Sequence, residues 1–338
     1  MIAYRRLLLA TIAMTFCLIV LGAYVRLSDA GLGCPDWPGC YGQVSVIHAS
    51  EHISAAQEAN PHGPVTFAKA WKEMIHRYFA GVVGLCIVGI AVLAWRHRQE
   101  RGSSPLLATL LVGVLVVQAL FGKWTVTMLL KPAIVTGHLL GGLTVLSLLV
   151  WLYARTQRPW RQAVSPGLKL AAAAAFLVLG MQVTLGGWVS TNYAALACTD
   201  LPTCHGEWVP DMDVRNGFHV VRELGMSPEG DTLDMTALTA IHWMHRVGAV
   251  ITLLVLGSFA VALIRAGQAG AGGMLLLLLG TQIALGAANV LLSLPLPLAA
   301  AHNGGAAALV VMMVLINYKA RTSAQPRLAG VFHESTAA

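Results

Sequence analysis

Charge is what this sequence has least of. Asp, Glu, Lys and Arg make up 11% of its 338 residues, against about 25% in soluble domains, which excludes a water-soluble globular protein. Long stretches carry no charge at all. Hydrophobic residues reach 57% and the mean hydropathy is +0.68, with apolar runs near the twenty residues needed to cross about 30 Å of hydrocarbon. Two further features are missing. No small-x-small cleavage site interrupts the apolar run that follows Tyr4-Arg5-Arg6 and continues to Val25, so this run is expected to stay as a first span rather than leave as a signal peptide. No Arg- and Ser-rich transit segment precedes it, which points to a bacterial inner membrane rather than an organelle.

Eight apolar segments stand out, at about 7–26, 75–95, 106–127, 133–153, 168–189, 239–264, 273–293 and 298–318. An even number places both termini on one side. The stretches 1–6, 95–105, 154–169, 265–272 and 319–338 hold thirteen Lys and Arg against Glu100 and Glu334, while the rest of the chain holds nine cations and thirteen acids. By the positive-inside rule the termini are expected to be cytoplasmic. The net charge of +7 is thus a matter of topology, and no nucleic-acid partner is expected.

Landmarks recur at a fixed offset. Gly22 and Gly186, Cys34 and Cys198, Cys40 and Cys204, Gly122 and Gly286, and His138 and His302 are each 164 residues apart, while His76 and His245 are 169 apart. The expected fold is an all-α integral membrane protein whose eight transmembrane helices form two tandem four-helix bundles with parallel pseudo-twofold symmetry. The expected units are 1–160 and 161–325, followed by a cytoplasmic tail at 326–338. Gln118, Gln182 and Gln282 each precede a repeated glycine by four residues, which reads as small-residue helix packing.

The second helix of each pair carries a histidine near its outer end: His76, His138, His245 and His302. Ionisable side chains at membrane depth are expensive and point to function. Two imidazoles from facing helices suit the two faces of a haem iron, with Gly81, Gly137, Gly141, Gly142, Gly304 and Gly305 leaving room for a flat macrocycle. Zinc fits less well, because it wants three or four ligands and no Cys or Asp stands beside either pair. All four histidines lie toward one face, which suits chemistry between two sites better than conduction across the bilayer. Arg77 and Arg246 follow two of them and either pair with haem propionates or snorkel to the interface. Glu73 corresponds to His242, each three residues before a histidine. Its carboxylate reads either as a proton acceptor or cation stabiliser or as a first-turn acid favoured by the helix dipole.

Cys34 and Cys40, and Cys198 and Cys204, sit in outer loops with turn formers between them, consistent with two structural disulfides or with redox-active pairs. Cys17 and Cys86 read as small apolar residues within helices. His48, His52 and His62 fall in a long first loop, read as solvated, with a metal site as the alternative.

The run from Gly22 through Tyr24-Val25-Arg26-Leu27-Ser28 to Cys34-Pro35-Asp36-Trp37-Pro38-Gly39-Cys40, followed by Glu73-Met74-Ile75-His76-Arg77 and the three later histidines, resembles the haem A synthase family of bacteria and mitochondria, over about residues 5–320. The resemblance implies oxidation of the C8 methyl of haem O to a formyl group through an alcohol intermediate. It implies substrate haem between His76 and His138, a haem b cofactor between His245 and His302, and Glu73 beside the methyl carbon. It also implies traffic with the prenyltransferase that makes haem O and with terminal oxidase assembly factors. A homo-oligomer is left open. A non-catalytic haem-binding or haem-delivery protein is the alternative expectation, and a quinone-linked thiol oxidase built on the outer cysteines is a third that explains the histidine pairs poorly.

Overall fold

A computed structural model describes residues 1–157 and 164–322. The tail at 326–338 and four charges used in the orientation count, Arg158, Arg161, Arg327 and Glu334, lie outside the described residues. Among the described residues, eight helices are long and apolar enough to cross a membrane: α1 (Ile2–Leu27), α3 (Phe67–Arg96), α4 (Pro105–Thr127), α5 (Pro132–Arg155), α6 (Pro166–Thr191), α8 (Met235–Arg265), α9 (Ala269–Leu291) and α10 (Leu296–Thr322). Each matches one expected span, and α3 and α8 extend several residues beyond the expected apolar starts. Two shorter helices, α2 (Ser50–Ala59) and α7 (Val214–Gly217), lie in the long loops. Among the described residues the chain has no strand, only isolated bridges at Cys40–Gln43, Cys204–Glu207 and Met226–Thr232.

Helix starts follow local chemistry. Thr66 caps α3 by accepting from Lys69 N, and Ser165 caps α6 by accepting from Leu168 N, satisfying donors that the first turn leaves open. Pro105, Pro132 and Pro166 open α4, α5 and α6, where a missing N–H costs nothing. Helix α1 packs on α3 and α5, α3 on α4, and α4 on α5; α6 packs on α8 and α10, α8 on α9, and α9 on α10. The two groups meet through α1 with α10, α5 with α6, and α5 with α10.

The α1, α3, α4 and α5 core is built from Leu8, Ile87, Ile90, Leu111 and Leu149, and a larger one from Leu146, Leu179, Leu256, Leu279 and Met313 runs through α5 into the second group. Side chains such as Leu85 and Leu170, at 75% and 73% exposure, face outward where lipid would cover them. Lipid tails are as apolar as leucine, so these helices associate through close packing rather than through escape from water.

Among the described residues, the eight non-glycine residues with left-handed backbone fall into four pairs 164 apart: Asp29 and Tyr193, Tyr41 and His205, Leu129 and Ser293, Leu130 and Leu294. Left-handed residues are uncommon outside glycine. The turn that ends α1 therefore matches that of α6, the turn of α4 that of α9, and the tip of one cysteine loop that of the other in the placing of these residues.

Candidate functional site

The four histidines lie within the first third or so of α3, α5, α8 and α10, on the face opposite the termini. Each ring packs on a glycine of the preceding membrane-spanning helix. A Cβ built at Gly22 would lie 2.9 Å from His76 Cε1, at Gly122 3.1 Å from His138 Cε1, at Gly186 3.0 Å from His245 Cε1, and at Gly286 3.1 Å from His302 Cε1. Glycine is thus required for close approach rather than for backbone freedom. His76 lies near His138 and His245 near His302, close enough for a charge on one ring to be felt at the other, so the structure brings together the two pairs expected from the sequence.

Buried polar atoms without partners cluster at these rings. Nδ1 of His76, His138 and His302 is enclosed and makes no hydrogen bond, an expensive condition in an apolar interior. Nε2 of His76, His138 and His245 is neither enclosed nor bonded. Each pair offers two nitrogen ligands from facing helices of a bundle, a donor set that suits the two axial positions of a haem iron.

Glu73 is 4% exposed and lies well inside α3, whose N-cap is Thr66. The first-turn reading of this acid is therefore replaced. Its Oε2 accepts from Cys34 N at 3.0 Å, and its Oε1 pairs with Arg77. His242, also 4% exposed, occupies the same place in the second group, where Cys198 N approaches its Nδ1 at 3.2 Å and Arg246 Nε its Nε2 at 3.3 Å.

The two arginines do not simply snorkel. Arg77 donates to the carbonyls of Asp36 at 2.7 Å and Gly39 at 2.6 Å. Arg246 donates to those of Asp200, Thr203 and Cys198, each at 2.8 Å. Asp200 and Thr203 are the 164-residue counterparts of Asp36 and Gly39. Both guanidinium groups therefore clamp the cysteine loops with several of their five donors.

Cys34–Cys40 and Cys198–Cys204 are disulfide-bonded, with Cα–Cα distances of 5.0 and 4.9 Å. In each loop an aspartate organises the turn. Asp36 accepts from the backbone of Tyr41 and Gly42, both at 2.6 Å, and Asp200 from that of His205 at 2.8 Å and Gly206 at 3.0 Å. The Thr203 hydroxyl, followed by these backbone donors, holds the Asp200 carboxyl well below the usual carboxylate range.

In the first loop His48 bonds Ser45 Oγ at 2.8 Å and His52 stacks on Tyr41, while His62 is exposed. Among the described residues no three His, Cys, Asp or Glu side chains form a metal-ligating group. Cys17 and Cys86 are free and lie in α1 and α3.

Sequence reasoning passed over the glutamines as packing residues. Gln118 Nε2 donates to the His138 carbonyl at 2.8 Å, and Gln182 Nε2 to the His245 carbonyl at 3.1 Å. Gln282 Nε2 lies 3.3 Å from His302 Nε2. Their regular position, four residues before a histidine-facing glycine, was the available signal.

Fold and site together define a multi-pass helical membrane protein with two buried histidine pairs beneath two disulfide loops. Residues 5–314 match the family model COX15-CtaA, described as cytochrome oxidase assembly protein, and the chain belongs to that family. It is 44% identical to the heme A synthase of Shewanella oneidensis over 92% of this chain and 95% of the relative. It is 27% identical to the heme A synthase of Paracoccus denitrificans over 94% and 88%, and 24% identical to that of Shouchella clausii over 81% and 87%.

Proposed function

We propose that this chain is a haem A synthase, an oxidoreductase of the bacterial inner membrane that converts the C8 methyl of haem O to a formyl group through an alcohol. The observation that carries the reading is the pair of histidine pairs, each ring seated on a glycine, in a chain 44% identical to a heme A synthase. The fold is read as two tandem four-helix units in parallel pseudo-twofold relation, 1–160 and 161–325, supported by the 164-residue recurrence of turns and loop contacts. The termini and the tail at 326–338 are cytoplasmic in this reading, which rests on loop charge. Haem O arrives from the prenyltransferase that makes it, and the product passes to terminal oxidase assembly.

His76 and His138 would hold the substrate haem, and His245 and His302 a resident haem b. When bound, haem b would supply one-electron transfer. The protein does the rest by position. Four glycines seat the rings close against the preceding membrane-spanning helices. Glu73, one turn from His76 and absent from the second half, would take a proton or stabilise developing positive charge at the C8 carbon. Arg77 and Arg246 hold the loops over the two sites, so any propionate contact they make is secondary. The disulfides fix those loops, and a redox exchange with substrate is not needed for this reading.

The test is expression in a host that makes haem O but no haem A, followed by chromatography and mass spectrometry of extracted haems. Wild-type protein is expected to yield haem A or its alcohol precursor. Because Glu73 also anchors Cys34, Glu73→Ala removes a structural contact with the carboxylate. Glu73→His borrows the residue that meets Cys198 in the other half, and it separates the two roles. Haem b and haem O alone from wild type would overturn the synthase reading and leave a haem-binding or haem-delivery protein.

A further inference from the structure

Three of the four histidines are held by an amide and one is not. Gln118 and Gln182 donate to the backbone carbonyls of His138 and His245, and Gln182 also lies 3.1 Å from His245 Nδ1. Gln282 reaches the ring of His302. Each amide lies in a notch made by the glycine three residues after its histidine, because a Cβ at Gly141, Gly248 or Gly305 would run into the Oε1 of Gln118, Gln182 or Gln282 respectively. The three Oε1 atoms are themselves buried without a donor.

At His76 the corresponding positions, by the 164- and 169-residue offsets, are Leu18 and Phe79. Both pack into the apolar core of the first group, and there is neither amide nor notch. Its helix has the loop anchors Glu73 and Arg77, as that of His245 has His242 and Arg246, but no amide besides.

We propose that Gln118, Gln182 and Gln282 are positioning residues for haem ligation, and that His76, which lacks one, is the exchangeable ligand that releases when haem enters or leaves. The inference rests on the reading that the His76 and His138 pair receives the haem being oxidised. A hydrogen-bonding partner fixes a ligating imidazole and raises its affinity, typically 10- to 100-fold. A resident cofactor benefits from amides at both of its histidines, and Gln182 stands at Nδ1 of His245 while Gln282 meets Nε2 of His302. A site that takes in substrate and gives up product in every cycle needs one ligand that lets go. The unpartnered amide oxygens are suitable acceptors for a ring N–H once the other ring nitrogen binds iron.

The experiment follows haem loss from the full-length protein in nanodiscs, loaded with haem b and challenged with excess apomyoglobin. Two optical phases are expected, the faster abolished by His76→Ala and the slower by His245→Ala. Leu18→Gln with Phe79→Gly should slow the faster phase about tenfold, and Gln182→Leu should hasten the slower phase about tenfold. Gln182→Leu should also shift the ferric low-spin electron paramagnetic resonance signal of that haem, which a remote packing defect would leave in place. Unchanged rates in the double variant, at full haem content, overturn the proposal. So does a Gln182→Leu protein whose slower phase and resonance match wild type, and this variant decides alone if the double variant fails to assemble. If His76→Ala leaves both phases intact, the first pair is not a haem site, and the functional reading falls together with this inference.

Discussion

The two halves anchor their cysteine loops in the same way and differ in what stands beside the histidines. An arginine four residues after Glu73 or His242 donates to carbonyls 164 residues apart, and an aspartate closes each turn. At Glu73 the carboxylate accepts from both Cys34 N and Arg77. At His242 two donors face two ring nitrogens, and a neutral imidazole can accept at only one of them. The second half has therefore given up part of a loop anchor along with the carboxylate. The arginine and aspartate contacts recur in both halves, and the side chain that differs, Glu73 or His242, is the one on which the proposed function turns.

Glu73→His is the sharpest way to break this comparison. Haem content and the first loop should survive, while haem O oxidation falls roughly 10²- to 10⁴-fold, the usual contribution of a positioned proton-transfer group. The readout is the ratio of haem A to haem O in extracts. Full activity would show that the carboxylate is not the functional difference between the halves.

Next in size is removal of a disulfide. Opening a loop this short costs about 2–3 kcal/mol in the chain-entropy account, and Cys34→Ser with Cys40→Ser should deplete haem from the first pair. The same change at Cys198 and Cys204 should deplete the second pair less, because Gln182 holds His245 independently of the loop. Haem stoichiometry in the purified variants checks this, and equal losses would mean that the loops and not the glutamines set retention. Gly22→Ala and Gly186→Ala form the matched control. An added methyl meets Cε1 of His76 at 2.9 Å or of His245 at 3.0 Å, so both should displace the ring and lower haem occupancy by similar amounts.

Much of this architecture was legible because membrane burial writes itself into composition. Uncharged runs marked the eight spans, and the 164-residue offset between Cys34 and Cys198 or His138 and His302 is also the offset between the left-handed residues. The histidine pairing followed from that register. Less legible were contacts that depend on three-dimensional approach. That Gly22 faces an imidazole, or that Gly141 makes space for an amide, cannot be told from the many other glycines in apolar helices. That Arg77 also clamps the cysteine loop was hidden, because sequence shows its distance from His76 and not the carbonyls folded back over it. Helix α2, in a polar stretch with a mean too low for a span, left no membrane signal.

The smallest expected effect lies in the second loop. Asp200 is held ionised by Thr203 and by backbone donors from Gly206 and His205, so its pKa is lower in the folded protein than in the unfolded chain. A group depressed in this way contributes stability above its unfolded pKa of about 3.9 and loses it only as pH falls through the still lower folded value. The Cys198–Cys204 loop should accordingly keep its turn unchanged from pH 7 down to about pH 4. Amide exchange at His205 and Gly206 is the direct measurement. Asp200→Asn retains one acceptor oxygen but no charge, so exchange there should quicken modestly at neutral pH, without altering haem content in either pair. A variant that instead emptied the second pair would show that this turn, and not the Arg246 clamp alone, carries the loop's hold on His245.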